Sequence, residues 1–276
     1  MSAGAPRPEL SIIIPAYNEA RRLSESIAQL QSYLQTQRFL SEVIIVDDGS
    51  TDSTAAVVRS WMGRWHALRL IRAPHQGKGS AVRAGALAAQ GAWIYLADAD
   101  FSVPVEEISC FLKEPPPRED LRIGSREAPG ARRYGEPYFR HVMGRVFNLV
   151  VRMLLVPGVS DTQCGFKLLR REVALDLFLH QTIPGWAFDV ELLYIARARG
   201  YSVREIPVPW YFRTGSKVHP ARDTIGMLRD LFAIWRNALR GRYQRRVVPH
   251  PTYAPESEVI AGFEIETPHS ATSLPD

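Results

Sequence analysis

The sequence predicts an α/β fold: a mostly parallel sheet flanked by helices. Three observations carry the prediction. Strand-like and helix-like segments alternate four times within the first 100 residues, as βαβ units do. The strand-like segments LSIIIP, EVIIV and WIYLA are short continuous apolar runs, the pattern of strands buried on both faces. Polar residues rich in acids follow each run, at the strand ends where open α/β sheets gather their ligands.

The elements follow in order. Leu10–Pro15 reads as the first strand, and Asn18 precedes a helical pattern of Leu23, Ile27, Leu30 and Leu34. Glu42–Val46 is the second strand and stops at Asp47-Asp48-Gly49. Ser50 or Asp52 can cap a helix running to about Trp61. Leu68–Arg72 is a third strand. Gly77-Lys78-Gly79 then opens a helix from about Ser80 to Ala89, and Trp93–Ala97 is a fourth strand ending at Asp98-Ala99-Asp100. Pro115-Pro116-Pro117 marks a loop. Residues 1–9 read as a loose start, 10–246 as one domain, and the Pro/Ser/Thr/Glu-rich stretch 247–276 as a disordered acidic tail.

Charge is unevenly spread. The chain of 276 residues carries a net +5, yet after Arg246 there are five acids and neither Lys nor Arg, which puts about +10 on the body. A basic body expects polyanions such as phosphates or an acidic membrane face. No aromatic platform or recognition motif points to nucleic acid. The two cysteines, Cys110 and Cys164, fit no disulfide framework or zinc pattern, which suits a reducing compartment. Met1–Pro8 lacks the features of a signal peptide, and no apolar run is long enough to span a bilayer.

Asp98 and Asp100, one residue apart at a strand end, can share a hard cation, magnesium or manganese, that bridges to a diphosphate. A solvated turn is the plainer alternative. Pro15, Tyr17 and Glu19 after the first strand, with Asp47 and Asp48 after the second, could line one nucleoside slot. The alternative is a capping Asn18 and a turn at Asp48-Gly49. Lys78 offers a cation at a helix start suited to an anion, although the loop is not a Walker A sequence.

Two amphipathic segments stand apart. From Tyr138 to Leu155 the polar positions Arg140, His141, Gly144, Arg145, Asn148 and Arg152 form one narrow stripe beside a wide apolar arc. From Arg222 to Arg240, Ile225, Leu228, Phe232, Trp235 and Leu239 share one face, and Arg222, Arg229, Arg236 and Arg240 another. Both read either as covers of the sheet or as interfacial helices on a membrane. Arg132, Arg133, Arg140 and Arg145 cluster as cations that a lipid phosphate would need.

Taken together, these segments resemble glycosyltransferase family 2, whose GT-A fold is Rossmann-like, over about residues 10–240. Asp161-Thr162-Gln163-Cys164-Gly165-Phe166-Lys167 and Trp186–Tyr194 are similar to the dolichyl-phosphate glucosyltransferases of that family. The resemblance implies an inverting hexosyl transfer from UDP-glucose to a polyprenyl phosphate. The protein is then expected on the cytoplasmic face of a membrane, peripherally bound, without the N-terminal anchor of the eukaryotic enzymes. It implies nucleoside contacts for Pro15, Tyr17, Glu19, Asp47 and Asp48, a diphosphate contact for Lys78, and metal and donor contacts for Asp98 and Asp100. It also implies phosphate contacts for Arg126 and Lys217, and Arg140 of the arginine cluster would help manage the phosphates. Ser102 stands where the mannose synthases carry a Gln near the metal, which leaves a third protein ligand open. Asp189 and Glu191 fall where hydroxyl-acceptor relatives carry a base, and Asp161 could orient acceptor or sugar. Each could instead be a structural acid paired with an arginine. A GDP-mannose-dependent mannosyltransferase, a transferase to a hydroxyl acceptor and a non-catalytic nucleotide- or membrane-binding module are the rival readings.

Overall fold

The structure is a computed structural model. It describes residues 7–113, 118–213, 220–244 and 263–268, with only the backbone for 220–225. The main sheet is built from β1 (Leu10–Ala16), β2 (Ser41–Asp48), β3 (Leu68–Ala73), β4 (Trp93–Leu96), β5 (Leu121–Ser125), β7 (Lys167–Arg170), β8 (Val203–Pro207) and β10 (Glu264–Glu266). Their spatial order is β10-β3-β2-β1-β4-β7-β5-β8. The four strands β3, β2, β1 and β4 run parallel, so their carboxyl ends, and the loops that follow them, share one edge. β7 enters antiparallel between β4 and β5, and β8 pairs parallel with β5. Two short strands, β6 (Arg132–Tyr134) and β9 (Pro209–Tyr211), pair parallel to each other outside this sheet.

Period-two alternation along buried strands splits the core in two. Ile13, Ile44, Val46, Ile94 and Leu96 face one side, where α3 (Lys78–Ala88), α6 (Arg171–His180) and α7 (Phe188–Ala198) pack. Ile12, Ile14, Val43, Ile45 and Tyr95 face the other, against α1 (Ala20–Gln35), α2 (Thr54–Met62) and α4 (Ile108–Leu112). The strands and helices expected from the first 100 residues are all present, within two residues at most ends. The N-cap of α2 is Ser53 rather than Ser50 or Asp52 and makes no side-chain cap bond, while Asp52, one residue earlier, accepts the Thr54 N–H at 2.9 Å.

One described segment of the tail forms a strand. Glu264–Glu266 lies inside the stretch that composition marks as disordered, yet it adds an antiparallel edge strand to β3. Two ion pairs hold it there: Arg59 grips Glu266 with both guanidinium ends at 2.7 and 2.6 Å, and Arg72 meets Glu264 at 3.3 Å. Just ahead of β1, the Glu9 N–H bonds Leu40 O at 2.8 Å.

α5 (Tyr138–Leu154) and α8 (Pro220–Leu239) carry the amphipathic segments. α5 touches the core through Val151 and Phe147, and α8 through Leu231 and Ile234. Many of their other described apolar residues face out. Tyr138 is 81% exposed, Met153 68%, Phe232 60% and Leu239 69%, and Phe139, Val146, Leu149, Leu154, Leu228 and Trp235 are exposed as well. Most of this apolar surface is therefore not core. The side chains of Arg222 and Ile225 lie outside the described residues. Among the described residues, no helix is long and apolar enough to cross a membrane.

Candidate active site

The loops after β1, β2, β3 and β4 converge at the shared strand edge. Asn18 is the tie between the first two. It sits at φ 52°, a left-handed conformation that Asn tolerates better than most residues. Its Oδ1 accepts the Thr51 N–H at 2.8 Å and the Asp52 N–H at 3.3 Å, while its own N–H bonds Ser50 Oγ at 2.9 Å. The capping role that the sequence left open for Asn18 is thus realised as a brace between loops. Tyr17 stacks on His75 from the loop after β3, with ring centroids 4.1 Å apart and planes 14° from parallel. A flat aromatic pair beside a polar slot is suited to a nucleobase.

Asp47 and Asp48 behave differently from free acceptors. Asp47 is buried and takes the Ser50 N–H at 3.0 Å. Asp48 is buried too, and its carboxylate accepts the N–H groups of Gln76 and Gly77, both at 3.0 Å, and faces His75 Nδ1 at 2.8 Å. Asp48 therefore shapes the loop that leads to Lys78. Gly77 in that loop sits at φ 114°, and a Cβ there would meet Pro184 O at 2.8 Å, so only glycine fits. Glu19 is held by Arg22 in a two-pronged pair, Nη2 to Oε1 at 2.8 Å. Pro15 lies in β1, where it pairs in register with Val46.

Asp98 and Asp100 sit together just beyond β4. Lys78 Nζ lies 2.5 Å from Asp98 Oδ1, and Arg22 Nη1 lies 3.8 Å from Asp100 Oδ2. The Ser102 N–H bonds Asp100 Oδ1 at 3.0 Å. Between them Phe101 adopts φ 41°, the second non-glycine residue with positive φ among the described residues. Such local strain gathers at functional sites. Burial, and then the charge of Asp98, lift Asp100 above the usual carboxylate range. Burial alone would lower Lys78, but the charges of Asp98, Asp189 and Asp100 more than offset it and hold the ammonium above its ordinary value.

The chemistry of this donor set fits a divalent cation. Two hard carboxylates stand close enough to repel, and burial together with that repulsion lifts Asp100. Among the described residues no third His, Cys, Asp or Glu gathers with them. Magnesium commonly takes one or two protein carboxylates and completes its shell with water and substrate phosphates.

The remaining candidate acids are already committed. Asp161 is buried and forms a forked pair with Arg126, Nε to Oδ2 at 2.7 Å and Nη2 to Oδ1 at 2.9 Å, with the Arg126 N–H adding a third bond. Burial pushes Asp161 up, but Arg126 overrides it and holds the carboxyl well below the usual range. Two residues expected to act separately thus form one unit, with Arg126 also over the Trp210 ring at 5.6 Å. Asp189 is buried and paired with Lys167 Nζ at 2.5 Å, and the same Nζ bonds Cys164 O. Glu191 accepts from Thr182, Ile183 and Tyr243 and pins the loop that rests on the start of α3. Arg140 stands in the first turn of α5, over the Phe212 ring at 5.3 Å. Lys217 lies outside the described residues.

Sequence reasoning passed over Arg22, His75, Lys167 and the role of Gly165. A Cβ on Gly165 would stand 2.7 Å from Asp98 Oδ2, so the Cys164-Gly165 turn is the floor beneath that carboxylate. The i,i+3 spacing of Glu19 and Arg22 was the one available signal for Arg22.

Comparison with known proteins decides the family. Residues 11–178 match the profile described as "Glycosyl transferase family 2". The chain belongs to glycosyltransferase family 2. It is 36% identical over 260 residues to the dolichyl-phosphate beta-glucosyltransferase of Drosophila melanogaster, covering 87% of this chain and 78% of the relative. The Homo sapiens protein of the same name is 35% identical over 255 residues, covering 87% and 79%. The Saccharomyces cerevisiae one is 34% identical over 260 residues, covering 85% and 76%. Among solved structures, glucosyl-3-phosphoglycerate synthase from Mycobacterium tuberculosis, in complex with Mn2+, UDP-glucose and glycerol 3-phosphate, aligns with TM-score 0.58 at 20% identity, covering 87% of this chain and 82% of that one. That likeness bears out the GT-A fold. The family 2 membership and these relatives make the chain a nucleotide-sugar-dependent glycosyltransferase.

Proposed function

We propose that this family 2 enzyme transfers glucose from UDP-glucose to a polyprenyl phosphate of the dolichyl type, with inversion, while seated peripherally on the cytoplasmic face of a membrane. The observation that carries the reading is the site as a whole. A donor end built around Asp98 and Asp100 is accompanied by acids that are each tied to a cationic partner, Asp161 to Arg126 and Asp189 to Lys167. A hydroxyl acceptor needs a base to take its proton. An ionised phosphate needs none, and a site whose acids are held in ion pairs suits it. The relatives' names, dolichyl-phosphate beta-glucosyltransferase, agree with that acceptor.

The chain's residues then divide the work. Tyr17 and His75 would receive the base, on a slot walled by Pro15, Glu19 and Asp47 and shaped by Asp48. Lys78 would meet the diphosphate. Asp98 and Asp100 would hold magnesium or manganese, which supplies positive charge to the departing nucleotide when bound. Arg126, kept in place by Asp161, and Arg140 would meet the acceptor phosphate and offset its repulsion from the donor. Lys217 is proposed for the same task on resemblance alone. Asp189 would act through Lys167 and Lys78 rather than as a base. The exposed apolar faces of α5 and α8 would enter the lipid interface, each buried side chain contributing about 1.5–3 kcal/mol.

The test is an assay with labelled UDP-glucose and a short polyprenyl phosphate. Lipid-linked glucose should form with manganese and vanish with chelator, and Asp100→Asn should lower turnover by about 100-fold or more. Transfer only from GDP-mannose, or only to a hydroxyl acceptor, would overturn the reading.

A further inference from the structure

Each carboxylate beyond β4 already has one of the protein's own cations against it, delivered from a different element. Lys78, the first residue of α3, sets Nζ 2.5 Å from Asp98 Oδ1. Arg22, on α1, brings Nη1 to 3.8 Å from Asp100 Oδ2 while its Nε and Nη2 hold Glu19. The Lys78–Asp98 pair is not sealed in the core: their side chains are 16% and 28% exposed. Asp98 lies against Gly165, where a Cβ would stand 2.7 Å from its Oδ2.

A divalent cation on Asp98 therefore competes with an ammonium for the same oxygen. Charges of two and one held at contact distance repel strongly, and more so in a partly buried site. Lysine is the side chain able to yield, being a point charge on a flexible four-carbon stem. The Lys78 ammonium lies 5.5 Å from the Trp186 ring centroid and 5.9 Å from that of Phe188, contacts that guide the stem without fixing a hydrogen-bond geometry. An anion arriving at the start of α3 would give it somewhere to go.

We propose that Lys78 is an exchangeable counter-ion: it neutralises Asp98 until a nucleoside diphosphate arrives, then passes to a phosphate oxygen as the divalent cation takes the carboxylate. Arg22 plays the weaker counterpart at Asp100, where its distance is longer and Glu19 holds most of its fork. Metal binding is then weak without nucleotide and coupled to it, and by linkage nucleotide binding is coupled to metal to the same degree. The inference rests on Asp98 and Asp100 being the metal carboxylates.

Binding of Mn2+ alone, read from the electron paramagnetic resonance signal of the free ion, tests it without any turnover. In the absence of UDP, Lys78→Met and Lys78→Gln should each bind Mn2+ about 10-fold more tightly than the wild type. Arg22→Gln should gain less than either Lys78 variant. Saturating UDP should tighten Mn2+ binding in the wild type far more than in the Lys78 variants. Mn2+ affinity without UDP that is unchanged or weakened in both Lys78 variants would overturn the exchange. If instead Asp98→Asn and Asp100→Asn leave Mn2+ binding of the UDP-saturated protein unchanged, the metal reading itself falls and the exchange with it.

Discussion

Gly165 shows how much can rest on one missing methyl group. The atoms that a Cβ would strike there are the carboxylate oxygens of Asp98, the far end of a side chain that can rotate, not backbone. Gly165→Ala should therefore leave the melting temperature almost unchanged yet displace Asp98, lowering kcat by about 10- to 100-fold. Steady-state kinetics beside a thermal melt checks both halves. Asp161 makes the opposite case, where charge matters to the fold. Its carboxyl is held below the ordinary range by Arg126, although burial works against that. A group lowered on folding stabilises the native state above its unfolded value, and the contribution fades as pH falls towards the folded one. Asp161→Asn leaves the half-buried Arg126 without its charge partner and should cost about 3 kcal/mol near neutral pH. The gap to wild type should narrow below about pH 4, the ordinary carboxylate value, in urea melts run across that range.

At the scale of elements, β10 and the two exposed helices invite separate tests. β10 is held by an exposed strand pairing and two surface ion pairs, and such pairs contribute only about 0–1 kcal/mol. Arg59→Ala should thus leave global stability within about 1 kcal/mol while amide exchange across 263–268 quickens, which exchange mass spectrometry resolves. Leu149 on α5 and Trp235 on α8 are about half exposed, at 52% and 47%. Replacing either by Glu should change unfolding stability by no more than about 0.5 kcal/mol. Sedimentation with anionic vesicles should nevertheless fall sharply for the pair of substitutions combined. Loss of folding instead would assign these faces to the core.

Across the molecule, what the sequence made legible tracks what was buried on both sides. β1, β2 and β4 are uninterrupted apolar runs because parallel strands covered by helices have no wet face, so they and the acids at their ends stand out. The later strands are harder to see. β5 hides Arg122 and β7 hides Lys167, charged residues that read as surface and are satisfied by partners remote in sequence or across a turn. The Glu-Ile-Glu of β10 looks like tail composition, since its pairing depends on Arg59 and Arg72 from the other end of the chain. The acids beyond β4 were legible by position, and Lys78 by its glycine-flanked helix start, whereas Arg22 was not, because an isolated Arg carries no local pattern. The outward apolar faces of α5 and α8 have a practical consequence for the protein in a test tube. Without a bilayer, copies should cluster through these greasy surfaces as concentration rises, and light scattering should drop when lipid nanodiscs are added.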